Sequence, residues 1–131
     1  MQTTDLGGAL SSFGSTVDES GEQFVPTFRQ GMVGYSIDQF IKQFNAPFPN
    51  HLKIDVDGIE DLIIAGAAAT LSDARMKSVS IELDASRCEH TQAIADKIEA
   101  AGLKFTVKRQ SEMIAAGAYK NIFNYQFHRT R

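Results

Sequence analysis

The sequence predicts an α/β domain. Short runs with strand alternation recur between segments of helical periodicity, and capping signals mark three helix starts. Glycine or proline closes most of the candidate elements. With 131 residues, 43% of them hydrophobic and 22% charged, the chain is long enough for one core and too apolar for disorder. The expected organisation is a single domain over 1–131, with an irregular or weakly stranded segment over 1–35 and an α/β core over 36–131.

The elements follow in order. Gly7-Gly8 and Ser11-Ser12 mark loop or weak strand over 1–22. Residues 24–35 read as irregular strand, with Pro26 favouring a sheet edge. Ser36 and Gln39 form a capping box before Ile37, Phe40, Ile41 and Phe44, and this helix ends before Pro47. His51 to Val56 is a short strand closed by Asp57-Gly58. Asp57 and Glu60 make a second capping box, leading one apolar stripe of Ile59, Leu62, Ile63, Gly66, Ala67 and Leu71. Ser78 to Asp84 alternates cleanly as a strand. Ser86 and Glu89 make a third capping box before Ala93, Ile94, Ile98 and Ala101, with Gly102 as the C-terminal glycine. Leu103, Phe105 and Val107 are expected on one face of the next strand. Glu112 to Ala116 is a helical turn stopped by Gly117, and Asn121 to His128 is the last strand. Alternating strands and helices predict parallel neighbours, with an antiparallel pair at the C-terminal end.

Composition narrows the function. A net charge of −3 and a balanced charge distribution argue against a nucleic-acid partner. A single cysteine, Cys88, excludes an internal disulfide and a four-cysteine zinc site, and it reads as structural. The N-terminus lacks the features of a signal peptide, and the longest apolar stretch, Leu62 to Leu71, falls short of the ~20 residues of a membrane helix. A cytoplasmic protein with no membrane partner is the expectation. No Gly-x-Gly-x-x-Gly, phosphate loop or Gly-x-Ser-x-Gly elbow is present in the sequence.

Lys53-Ile54-Asp55-Val56-Asp57-Gly58-Ile59-Glu60 carries the most chemistry. It sets three carboxylates at the carboxyl end of a strand, where open α/β sheets bind ligands. Helix capping alone accounts for Asp57 and Glu60. Asp55 shares a strand face with Lys53, and burial of both would demand an ion pair, Lys53 with Asp55 or Lys53 with Glu82. Glu82 on the next strand is expected within salt-bridge distance of Lys53. Asp55-Val56-Asp57 also has the carboxylate-x-carboxylate form used by metal-dependent glycosyltransferases. A non-catalytic α/β interaction fragment is a third reading. Phe123, Tyr125 and Phe127 read as an aromatic core face opposite Asn124, Gln126 and His128, with His128 at the surface.

Leu52 to Glu60, then Ile63 to Gly66-Ala67 and Leu71, resembles the FkbM family of S-adenosylmethionine-dependent methyltransferases. Gly34 to Asp38, Ser80-Ile81-Glu82 and Ala100 to Leu103 extend the resemblance over about residues 34–129. It implies the C-terminal half of a Rossmann-like class I sheet, mostly parallel with an antiparallel C-terminal strand pair, making the domain a partial one. It implies methyl transfer, to an oxygen, of a small-molecule acceptor, with Lys53, Asp55, Asp57, Glu60 and Glu82 at the catalytic end. In the family the first two strands hold S-adenosylmethionine through a glycine-rich turn and an acidic residue. The sequence shows neither, so the chain alone is expected to be inactive and to bind no cofactor. The strand carrying Asp55 would then be an open edge, covered by residues 24–34 or by a second chain in a homo-oligomer.

Overall fold

The computed structural model describes residues 16, 22–23, 25–56, 58–110 and 120–130. The chain divides into two units, residues 1–34 with 57–59, and residues 35–56 with 60–131. In the first unit, residues 25–34 carry neither helix nor strand. The strand expected over 24–35 therefore does not form across its described part. Pro26 cannot donate to a ladder, and Gly31 and Gly34 add chain entropy that a strand must overcome.

The second unit begins with α1, Ile37–Phe44, started by the expected capping box: the Ser36 side chain accepts from the Gln39 N–H, and the Gln39 side chain accepts from the Ser36 N–H. Asn45 ends it in the left-handed region at φ 47°. The next elements are β1, His51–Ile54; α2, Glu60–Ala65; α3, Ala68–Ser72; β2, Ser78–Asp84; α4, Cys88–Ala100; β3, Leu103–Arg109; and β4, Ile122–Arg129.

Three local expectations change. The helix expected across 59–71 is two helices, broken at Gly66-Ala67. The Gly66 carbonyl accepts the Asp38 N–H at 3.0 Å, and Ala67 leaves helical geometry at φ −116°. Leu62, placed on the apolar stripe, is exposed. The third capping box is not made: α4 starts at Cys88 with Arg87 as its N-cap and no side-chain cap, because Ser86 is bound by Asp84 instead. The expected helical turn over 112–116 and the Asp57 cap lie outside the described residues.

Among the described residues, four strands form one sheet in the order β1-β2-β4-β3. β1 and β2 pair in parallel, whereas β4 pairs antiparallel with both β2 and β3. The sheet is thus mixed, with one parallel pair and two antiparallel ones. The C-terminal pair is antiparallel, as its connection implied. β1 is an edge, and no described strand pairs with its outer side.

Alternation divides the sheet into two faces. Ile54, Val79, Ile81, Leu83 and Phe127 point to one face and are buried in one core with Ile64 of α2, Leu71 of α3, and Ile94 and Ile98 of α4. Each such burial contributes about 1.5–3 kcal/mol. The register places Lys53 beside Ser80, Ser80 opposite Gln126 and Glu82 opposite Asn124 on the other face. A bulge between Phe105 and Val107 shifts β3 by one residue. Leu103 and Phe105 therefore share the core face, but Val107 pairs with Gln126 on the polar face. Lys108 takes the core-side position instead, its ammonium 4.0 Å from the centre of the Phe123 ring.

Asp38 ties α1 to α3. α3 has Ala67 at its N-cap and no cap of its own. The Asp38 carboxylate supplies one across the fold, accepting from the Ala69 N–H at 2.9 Å, the Thr70 N–H at 2.9 Å and the Thr70 hydroxyl at 2.5 Å. Burial pushes this carboxyl up, but the Thr70 hydroxyl and the two N–H bonds outweigh it and hold the pKa below its ordinary value. A lowered folded pKa stabilises the fold above the ordinary aspartate range, and this stability is lost as pH falls through the folded value. Asp38→Ala is expected to cost about 1–2 kcal/mol at pH 7. Urea titrations should show the gap between the two proteins closing as the pH is lowered below that of ordinary aspartate.

Candidate functional site

The polar face of the sheet gathers side chains from three strands. β1 carries Lys53, and Asp55 follows directly after its last residue. β2 carries Glu82, and β4 brings Asn124 opposite it. Because β1 and β2 are parallel, their carboxyl ends lie together, which brings Asp55 towards Glu82. The Lys53 ammonium is 3.2 Å from an Asp55 carboxylate oxygen. It also donates to the Asn124 side-chain oxygen. The Asn124 amide nitrogen in turn donates to Glu82 at 3.2 Å.

The predicted Lys53–Glu82 ion pair is replaced by this arrangement. Both residues are on the expected face, but Lys53 pairs with its strand neighbour Asp55, and Asn124 stands between Lys53 and Glu82. The two charges are not buried together either. The side chains of Lys53 and Asp55 are 47% and 57% exposed, so the pair itself adds little stability. Its interest lies in what it does to Glu82.

Burial pushes the Glu82 carboxyl above its ordinary pKa, and the adjoining Asp55 carboxyl pushes it further. Lys53 and the Asn124 amide oppose both effects. The result is a half-buried carboxyl with a raised pKa, held between a second carboxyl and an amide. Such a group takes a proton more readily than an ordinary surface glutamate.

The remaining candidates divide. Glu60 is buried in the first turn of α2. The hydrogen bonds from Lys53 and to Glu82 meet at Asn124. Asp57 lies outside the described residues. Asp84 accepts from the Ser86 N–H and hydroxyl and so shapes the turn into α4. Cys88 is exposed, with its thiol 3.4 Å from the Ala85 carbonyl. Among the described residues, no group of three or more histidine, cysteine, aspartate or glutamate side chains could hold a metal ion. No helix among them is long and apolar enough to cross a membrane.

The chain matches the FkbM methyltransferase domain over residues 3–115, most of its length. It belongs to the FkbM methyltransferase family. No curated protein and no solved structure matches it. Lys53, Asp55 and Glu82 lie within the matched stretch, and Asn124 lies beyond it. Alternation in the sequence points to Lys53, Asp55 and Glu82, whereas for Asn124 it gives only the polar side of the last strand. Alternation shows its face, but only the β2–β4 register shows that it meets Glu82.

S-adenosylmethionine is the cofactor that this family implies. Its amino-acid carboxylate calls for clustered backbone N–H groups and its ribose for an acidic partner. The described passage from β1 to α2 offers one glycine, Gly58, at φ 89°. The Asp55 carboxylate is already committed to Lys53. These residues do not fit the cofactor by themselves.

Proposed function

We propose that this chain supplies the acceptor-facing, proton-handling end of an S-adenosylmethionine-dependent O-methyltransferase of Rossmann-like architecture. The observation that carries the reading is the convergence of Lys53, Asp55, Asn124 and the raised-pKa Glu82 at the carboxyl ends of β1 and β2. Methylation of an oxygen requires the acceptor hydroxyl to lose its proton. Glu82 is the base, and the hydroxyl proton passes to its carboxylate. Asp55 keeps that carboxylate basic, while Lys53 offsets the combined negative charge and faces the developing alkoxide.

The cofactor is held by residues other than those of the cluster. The outer edge of β1 is the place for a further strand to join, whether from a second copy of this chain or from a cofactor-binding part. By itself the chain is inactive. Calorimetric titration of the isolated chain with S-adenosylmethionine tests this part of the reading. No binding heat is expected up to roughly millimolar cofactor, since affinity at that level is only about 4 kcal/mol. Micromolar binding would show that these 131 residues already contain a cofactor site.

A further inference from the structure

The geometry points to Asn124 as a positioning residue of this site, whose amide fixes the Glu82 carboxylate by linking it to Lys53. The inference rests on the reading of Glu82 as the base. Asn124 is the register partner of Glu82, so the two side chains stand side by side on the polar face. Its oxygen accepts from the Lys53 ammonium while its nitrogen donates to Glu82 at 3.2 Å. Lys53 lies two strands away from β4, beyond β2. The amide thus links groups from all three strands.

Only a side chain with both a donor and an acceptor can make this link. Aspartate keeps the bond to Lys53 but loses the donor and sets a third carboxylate beside Asp55 and Glu82. Leucine keeps the volume and loses both bonds. Among the described residues, the charged groups around Glu82 on the polar face are Lys53 and Asp55 from the β1 side and Asp84 further along β2. Arg109 of β3 adds a cation whose backbone pairs with that of Asn124. Of the two groups that favour the ionised form directly, the Lys53 ammonium and the Asn124 amide, the amide alone is hydrogen-bonded to Glu82. Its removal leaves burial and Asp55 less opposed, so Glu82 holds its proton to higher pH.

The test is a carbon-13 NMR titration of the Glu82 side-chain carboxyl in the full chain, its Asn124→Leu and Asn124→Asp variants, and Asn124→Gln as the conservative form. Amide spectra report whether each variant is folded. The midpoint should rise by about one pH unit in Asn124→Leu and by more in Asn124→Asp, with Asn124→Gln closer to the unaltered chain. A midpoint within about 0.2 unit of the unaltered one in a folded Asn124→Asp protein would overturn the inference. Asparagine would then be only a spacer on the sheet. That result leaves the base reading intact, whereas methyl transfer that survives Glu82→Gln sinks the base reading whatever Asn124 does.

Discussion

Arg129→Met should lower the free energy of unfolding by about 3 kcal/mol and the thermal midpoint by about 10 °C. Arg129 looks like a surface residue at the end of the last strand, but its guanidinium turns to the ends of other elements. It donates to the Leu71 carbonyl at 2.5 Å, the Met76 carbonyl at 2.9 Å and the Ala101 carbonyl at 3.1 Å. Leu71 lies in the last turn of α3, Met76 precedes β2 and Ala101 is the C-cap of α4. Helix C-termini leave carbonyls without partners, and a cation there satisfies them while opposing the negative end of the helix dipole. Methionine of similar length fills the space but leaves these oxygens partly buried with no donor, and that penalty dominates the expected loss. Gly102 belongs to the same arrangement: a Cβ there would come within 2.6 Å of the guanidinium, at a backbone φ of 92°. Arg129→Lys should recover only part of the loss, since an ammonium lacks the planar fork that reaches separate carbonyls. Urea denaturation of the three proteins checks this. A loss below about 1 kcal/mol in Arg129→Met would mean that water replaces the guanidinium at these carbonyls.

Glu82→Gln should reduce methyl transfer by at least about 100-fold once a cofactor-binding part of the family is supplied with the chain. Glutamine keeps the shape and can still accept from Asn124, but it cannot take the acceptor proton. The same variant should be at least as stable as the unaltered chain at neutral pH. The sign follows from the raised pKa. A carboxyl whose folded pKa lies above its unfolded value binds more protons in the folded state between the two values, so stability falls as pH rises through that interval. Above the folded value the chain carries that penalty in full and the glutamine variant does not. Below the ordinary glutamate range the difference disappears. Loss of activity together with a pH-dependent gain in thermal midpoint separates a proton-handling role from a structural one. Transfer that persists in Glu82→Gln would remove Glu82 from the reaction.

Local patterns were the legible part of the fold. The Ser36 capping box, the alternation over 78–84 and Gly102 all act within a few residues, and each formed as expected. Features set by distant partners were not legible. The break at Gly66-Ala67 depends on Asp38, nearly thirty residues earlier. Ser86 is a local exception: Asp84, two residues before it, binds its N–H and hydroxyl and competes with the capping role. The bulge in β3 moved Val107 to the polar face, because a single extra residue reverses an alternating pattern. The same distinction holds at the site. Strand period put Lys53, Asp55 and Glu82 on one face, but the choice of Asp55 over Glu82 as the partner of Lys53 depended on Asn124, and its pairing with Glu82 is a matter of register.

The titration of the Glu82 side chain in the unaltered chain and in Asp55→Asn tests the central claim most directly. Burial and the neighbouring carboxyl predict a midpoint above that of an ordinary glutamate, moving down when Asp55 loses its charge. An ordinary midpoint that does not respond to Asp55→Asn would contradict the account, because the two carboxyls would then not form one proton-handling unit.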